Sequence, residues 1–171
     1  MTPEFSRTFR LDELGGAPRA ASISAGEDER AAVAARFGLI GIERLEATSE
    51  LAREGDIVTA TGRLEAELTQ ACVASGDPVP ARIVEDFAVR FVPAGAAPSA
   101  EEVELAESDL DEISYEGGSV DLGEAVAQTM ALALDPFPRA PSADAKLREA
   151  GVLGEEDAGP FAALKALKDK L

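Results

Sequence analysis

The sequence predicts an α+β fold: an antiparallel, strongly twisted sheet or partly open barrel, built around a long hairpin and covered by helices. Three observations carry this. Val58, Ala60, Gly62, Leu64, Ala66, Leu68 and Cys72 alternate with Thr59, Thr61, Arg63, Glu65, Glu67 and Thr69. Val79, Ala81, Ile83, Phe87, Val89 and Phe91 repeat that period after the turn residues 74–78, Ala-Ser-Gly-Asp-Pro. A period of two places one face on a core and the other in water. Residues 42–53 alternate as well, so three consecutive strands make a meander with one wet face, and helices must cover the other.

In chain order, residues 5–11 read as a first strand and Ala20 to Ile23 as a second, giving with the meander a sheet of four or five strands. Ser24-Ala25-Gly26-Glu27 fits a capping box, in which the serine accepts from first-turn amides and the glutamate reaches back. A helix follows to Phe37, burying Val33 and Phe37, with Gly38 as its stop. Residues 94–118 lack periodicity and read as a long acidic loop, with a short strand near Ile113 to Tyr115. Asp121 and Glu124 open a second helix, whose apolar face is Leu122, Val126, Met130 and Ala133. Two prolines in Asp135-Pro136-Phe137-Pro138-Arg139 end it. Two short helices complete the chain, one after Ser142 and one after Pro160 that bears Lys165, Lys168 and Lys170. Residues 1–139 thus form a single α+β domain, and 140–171 a short helical extension.

The net charge is −17. Such a chain repels phosphate backbones unless its cations cluster, and attracts basic partners. Residues 101–124 hold ten Asp or Glu and no Lys or Arg, the pattern of a solvated loop or an interaction segment. The amino-terminal residues are charged and no stretch approaches a membrane span, so the expected location is cytoplasmic, with neither membrane nor DNA as partner.

The chain has no histidine, which removes the usual Ser-His-Asp and Cys-His triads and most transition-metal sites. It has neither a phosphate-binding GxxxxGK[ST] loop nor a GxGxxG turn, and no cofactor is implied. Cys72, the single cysteine, reads as a small buried residue, its neighbours Gln70, Ala71 and Val73 offering nothing to lower its pKa. Asp109, Asp111 and Glu112 are of the type that holds a hard cation, but their spacing misses an EF-hand, and no metal site is assigned. Asp121 and Glu124 read as helix caps. Phe137 and Arg139 have two readings: a helix stop with the ring packed on the sheet and the guanidinium ion-paired, or a rigid surface presenting two binding anchors.

Five segments occur in an order that resembles one family. They are Gln70-Ala71-Cys72-Val73; Glu85-Asp86-Phe87 with Phe91-Val92-Pro93; Val120 to Glu124; Leu132 to Arg139; and Pro160 to Lys165. The set is similar to the YceD family, the large ribosomal RNA subunit accumulation proteins, in its alphaproteobacterial-type branch. The resemblance implies a non-enzymatic factor that supports large-subunit rRNA accumulation or ribosome assembly by binding a ribosomal protein, or rRNA through a local basic patch. Many relatives carry Cys-x-x-Cys in the hairpin and further cysteines near the C-terminus that look like metal ligands; here only Cys72 stands. Candidate contacts are Arg63, Arg82 and Arg90 on the wet face of the hairpin, Phe137 and Arg139, and Lys165 and Lys168. Two other readings stay open: an acidic interaction module outside ribosome biology, and a hydrolase using paired carboxylates, which would need a concave pocket with raised carboxyl pKa values.

Overall fold

The structure, a computed structural model, describes residues 3–95 and 111–152. Its elements are β1 (Thr8–Arg10), a 3-10 turn (Leu11–Glu13), β2 (Arg19–Ser24), α1 (Glu27–Phe37), β3 (Gly41–Glu54), β4 (Ile57–Ala71), β5 (Pro78–Pro93), β6 (Asp111–Tyr115), β7 (Ser119–Asp121), α2 (Leu122–Leu132) and α3 (Ala143–Glu149). Five strands form an open sheet in the order β2-β3-β4-β5-β6, and β1 pairs with β7 in a small separate sheet. The chain divides into two units, Met1–Thr69 with Pro80–Leu134, and Gln70–Val79 with Asp135–Leu171.

In the first unit the alternation works as the sequence predicts. Leu45, Ala47, Leu51, Val58, Ala60, Leu64, Ala66, Leu68, Val89 and Phe91 are buried in one core with Val33 of α1 and Leu122, Val126 and Met130 of α2. Each fully buried leucine or phenylalanine contributes on the order of 1.5–3 kcal/mol relative to exposure. The β3–β4 register shifts between Ile42 and Arg44. The extra residue of this bulge lets Ile42 and Leu45 both turn inward, although their spacing is odd. Helix α1 ends on Gly38 at φ 66°, a left-handed cap that glycine adopts without strain.

Four expectations are corrected. The first strand does not join the main sheet: Arg7 N–H and Ser6 Oγ donate to the Asp121 carboxylate at 2.8 and 2.6 Å, and Leu122 N–H donates to Arg7 O, tying the segment to β7 and α2. The sheet is mixed, because β6 runs parallel to β5, pairing Val89 with Asp111 through Pro93 with Tyr115. The box at the start of α1 lies two residues later: Gly26 is the cap and donates its N–H to Glu29 Oε2 at 2.7 Å. At α2, Asp121 accepts from the Gly123 and Glu124 amides as predicted, but the Glu124 side chain turns to Arg36 and Gln128 rather than back to the cap.

Candidate functional site

The wet face of the meander carries four arginines, and each meets a carboxylate of the same face. Arg63 of β4 forms a two-pronged bond with Asp86 of β5, at 2.6 and 2.9 Å. Arg82 lies 3.5 Å from Glu65, and Arg90 2.7 Å from Glu112 of β6. Arg44 of β3 bonds Glu46 and faces Glu65 and Glu67 at 3.6 and 3.9 Å. Cross-strand neighbours on one face sit close enough for such pairs. The arginines beside them hold the Asp86 and Glu46 carboxyls below their usual range. Glu50 and Glu54 occupy the same face of β3, so the face as a whole remains acidic.

In the second unit the residues of Asp135-Pro136-Phe137-Pro138-Arg139 resolve their two readings differently. Phe137 N–H donates to Asp135 Oδ1 at 2.9 Å, a local turn that fixes the segment. The Phe137 ring is 73% exposed. Arg139 is ion-paired with Asp144 at 2.5 Å. Lys165 and Lys168 lie outside the described residues.

Cys72 is buried beside Ala140 and Ala143, as the sequence predicts, but its titration is not that of an ordinary thiol. The Ala140 amide leads, joined by the amides of Ala74 and Ser75, in holding the pKa of the sulfur down to about 7. These donors favour the thiolate and outweigh desolvation. The neighbours in sequence offered no such signal; the main donor comes from Ala140. Next to it, Asp77 accepts from Ser75 Oγ at 3.0 Å, Ser142 Oγ at 2.8 Å and Lys146 Nζ at 2.5 Å. Lys146 leads in holding the Asp77 carboxyl down.

Three other features escaped the sequence reading. The Arg7 guanidinium grips Glu29 at 2.6 and 2.8 Å and leads in lowering that carboxyl to about 2. Arg36 joins Glu124, at 2.8 Å through both terminal nitrogens, and Glu4 at 3.0 Å. A Cβ at Gly123 would stand 2.7 Å from Phe5 O and 2.8 Å from Arg7 N, so this helix start admits the N-terminal segment only because it lacks a side chain. Among the described residues no group of three or more Cys, Asp or Glu is placed to hold a metal ion. Asp111 and Glu112 are successive in β6 and point to opposite faces, and Glu112 is engaged by Arg90. Every described carboxyl whose titration shifts is lowered by an arginine or a lysine. No helix among the described residues is long and apolar enough to cross a membrane.

Comparison with known proteins adds one match. The family model described as large ribosomal RNA subunit accumulation protein YceD matches residues 60–168. No curated relative and no solved structure matches the chain. The family match runs from near the start of β4 through the second helix and beyond α3, and the chain belongs to the YceD family.

Proposed function

We propose that this YceD-family chain supports large-subunit rRNA accumulation in the cytoplasm without catalysis, by binding a basic ribosomal protein. The observation that carries the choice of protein over RNA is the engagement of the wet-face arginines. Arg63, Arg82 and Arg90 each face a carboxylate, so a phosphate would have to displace that partner within a molecule of charge −17. A lysine- or arginine-rich protein meets the same field as attraction. Phe137 supplies an exposed aromatic anchor, and Arg139, Lys165 and Lys168 complete the candidate contacts. The lowered carboxyl pKa values favour ion pairing over the raised-pKa acid that a hydrolase of this type requires.

The test is an affinity pull-down from lysate with the full chain at low and high salt, followed by identification of protein and RNA. The expected result is salt-sensitive recovery of a basic ribosomal protein that survives ribonuclease. Recovery that ribonuclease abolishes assigns the direct contact to rRNA instead. If neither a ribosomal protein nor a pre-ribosomal particle is recovered, the reading fails.

A further inference from the structure

Strand β2 is an edge of the main sheet, and its free side is well defined. Ala25 N–H donates to Leu45 O at 2.9 Å, in step with the register that pairs Ser24 with Glu46 and Ile23 with Ala47. In an antiparallel pair hydrogen-bonded positions alternate, so Ile23, Ala21 and Arg19 bond inward to β3, while Ser24, Ser22 and Ala20 turn their amides and carbonyls outward. The Ser24 carbonyl confirms the phase, because Arg7 reaches it at 2.8 Å from outside the sheet. Ala20 and Ser22 keep both backbone groups open among the described residues. Arg7 covers the edge at Ser24, but between Ala20 and Ser22 there is no proline, no lysine and no bulge.

Beside this edge, on the wet face, lies a cleft of about 240 Å³ lined by Ser22, Ser24, Glu46, Thr48, Arg63 and Glu65. Arg63, the cation among these residues, is bound to Asp86, while Arg44 bonds Glu46 and stands 3.6 Å from Glu65, and Arg82 stands 3.5 Å from Glu65. An incoming cation therefore shares the two carboxylates with these arginines in a field that stays acidic overall. Ser22 and Ser24 are short, so a long side chain from an added strand passes over them to the two carboxylates. A second copy of the chain would bring another charge of −17 to the same edge, whereas a basic segment is drawn to it.

We infer that β2 accepts an extended, lysine- or arginine-rich protein segment as a sixth strand, with a cationic side chain seated in the cleft between Glu46 and Glu65. This deepens the reading above and rests on it: main-chain hydrogen bonds supply affinity, and the acidic cleft supplies selectivity.

The probe is a fluorescein-labelled peptide of alternating lysine and threonine, read by anisotropy against the full chain. The same peptide N-methylated at alternate residues keeps its charge but loses its strand-pairing donors, and binds about tenfold or more weakly. Ser22→Pro removes an outward amide without touching the β2–β3 ladder, and weakens the parent peptide to a similar degree. Glu46→Gln flattens the salt dependence. Equal affinity for the two peptides overturns the inference, and this comparison needs no variant to fold. Wild-type and Ser22→Pro chains are also used as bait. Equal recovery of a basic ribosomal protein overturns edge pairing and leaves the reading above standing; recovery by neither sinks both. A wild-type dimer that Ser22→Pro dissolves assigns the edge to a second copy and overturns the inference too.

Discussion

The two units of the chain are held together by different physics. The first is organised by burial: Leu45, Leu51, Val58, Leu64, Phe91, Leu122 and Met130 are at most 1% exposed, and two helices and a sheet share them. Among the described residues of the second, the buried cluster is Cys72, Ala140 and Ala143, whose side chains have little area to remove from water. It relies on directed polar bonds instead: Gln70 to the Asp135 carbonyl, Val73 N–H to the Pro138 carbonyl, Cys72 N–H to the Asp77 carbonyl, and the Asp77 carboxylate with its three donors. Burial is non-directional and indifferent to pH, whereas these bonds depend on particular atoms and charges. The core of the first unit should therefore respond to changes of shape, with the Arg7–Glu29 pair as its acid-sensitive point, and the second unit to changes of protonation.

The largest effect is expected where shape and polar bonding coincide in the first unit. Asp121→Ala removes the acceptor for two helix amides, one backbone amide and one hydroxyl, at a cost of about 3 kcal/mol. Gly123→Ala places a methyl against the backbone at Phe5 and Arg7, at a cost of about 2 kcal/mol. Urea denaturation measures both, and losses under half a kcal/mol would show that the N-terminal segment is not held here.

Next comes Glu29, whose carboxyl is lowered from 4.5 to about 2. Its contribution is complete above the unfolded pKa near 4.5 and is lost as pH falls through about 2. Glu29→Gln should cost about 1 kcal/mol at neutral pH, discounted for partial exposure, and should flatten the acid limb of a stability–pH profile. An unchanged limb would refute the pairing with Arg7.

In the second unit Asp77→Asn should speed amide exchange at Cys72 and Val73 while leaving the core amides of β4 near Leu64 unchanged. Equal acceleration in both places would erase the distinction between the units. The Cys72 thiol offers a pH test. Its folded pKa of about 7 lies below its ordinary value of 9.0, so its stabilisation is present above pH 9 and is lost as pH falls through 7. Protection of these two amides should rise across that window, and Cys72→Ala should abolish the rise. Smallest of all for stability is Phe137→Ala: an exposed ring costs little to remove, within about half a kcal/mol, while partner binding should fall by an order of magnitude or more if it is an anchor. Thermal melts and pull-down together separate the two.

The same contrast explains what was legible in the residues. Alternation is a local property, and it located β3, β4 and β5 together with their buried faces. Asp121 was legible as a cap because a cap spans three residues. What stayed hidden depends on partners remote in the chain. Nothing within residues 5–11 names β7 as the partner of β1, and nothing near Ile113 distinguishes a parallel neighbour from an antiparallel one. The arginines of the wet face were visible by parity, but their engagement by Asp86, Glu65 and Glu112 depends on register across strands. Likewise the thiol of Cys72 is set chiefly by the amide of Ala140, far along the sequence.

One position in the meander bears on how this sequence can vary. Opposite Ser49, a Cβ at Gly62 would stand 2.2 Å from Thr48 O and 2.7 Å from Ser49 Cα. No rotamer relieves a collision between backbone atoms, so the restriction is independent of what side chain follows. In a saturation mutagenesis library read out by abundance in cells, residue 62 should appear as a near-empty column. Its neighbours Thr61 and Arg63, facing water on the same strand, should fill with substitutions. Such a column, flanked by permissive ones, is the record that close backbone approach leaves in a population of sequences.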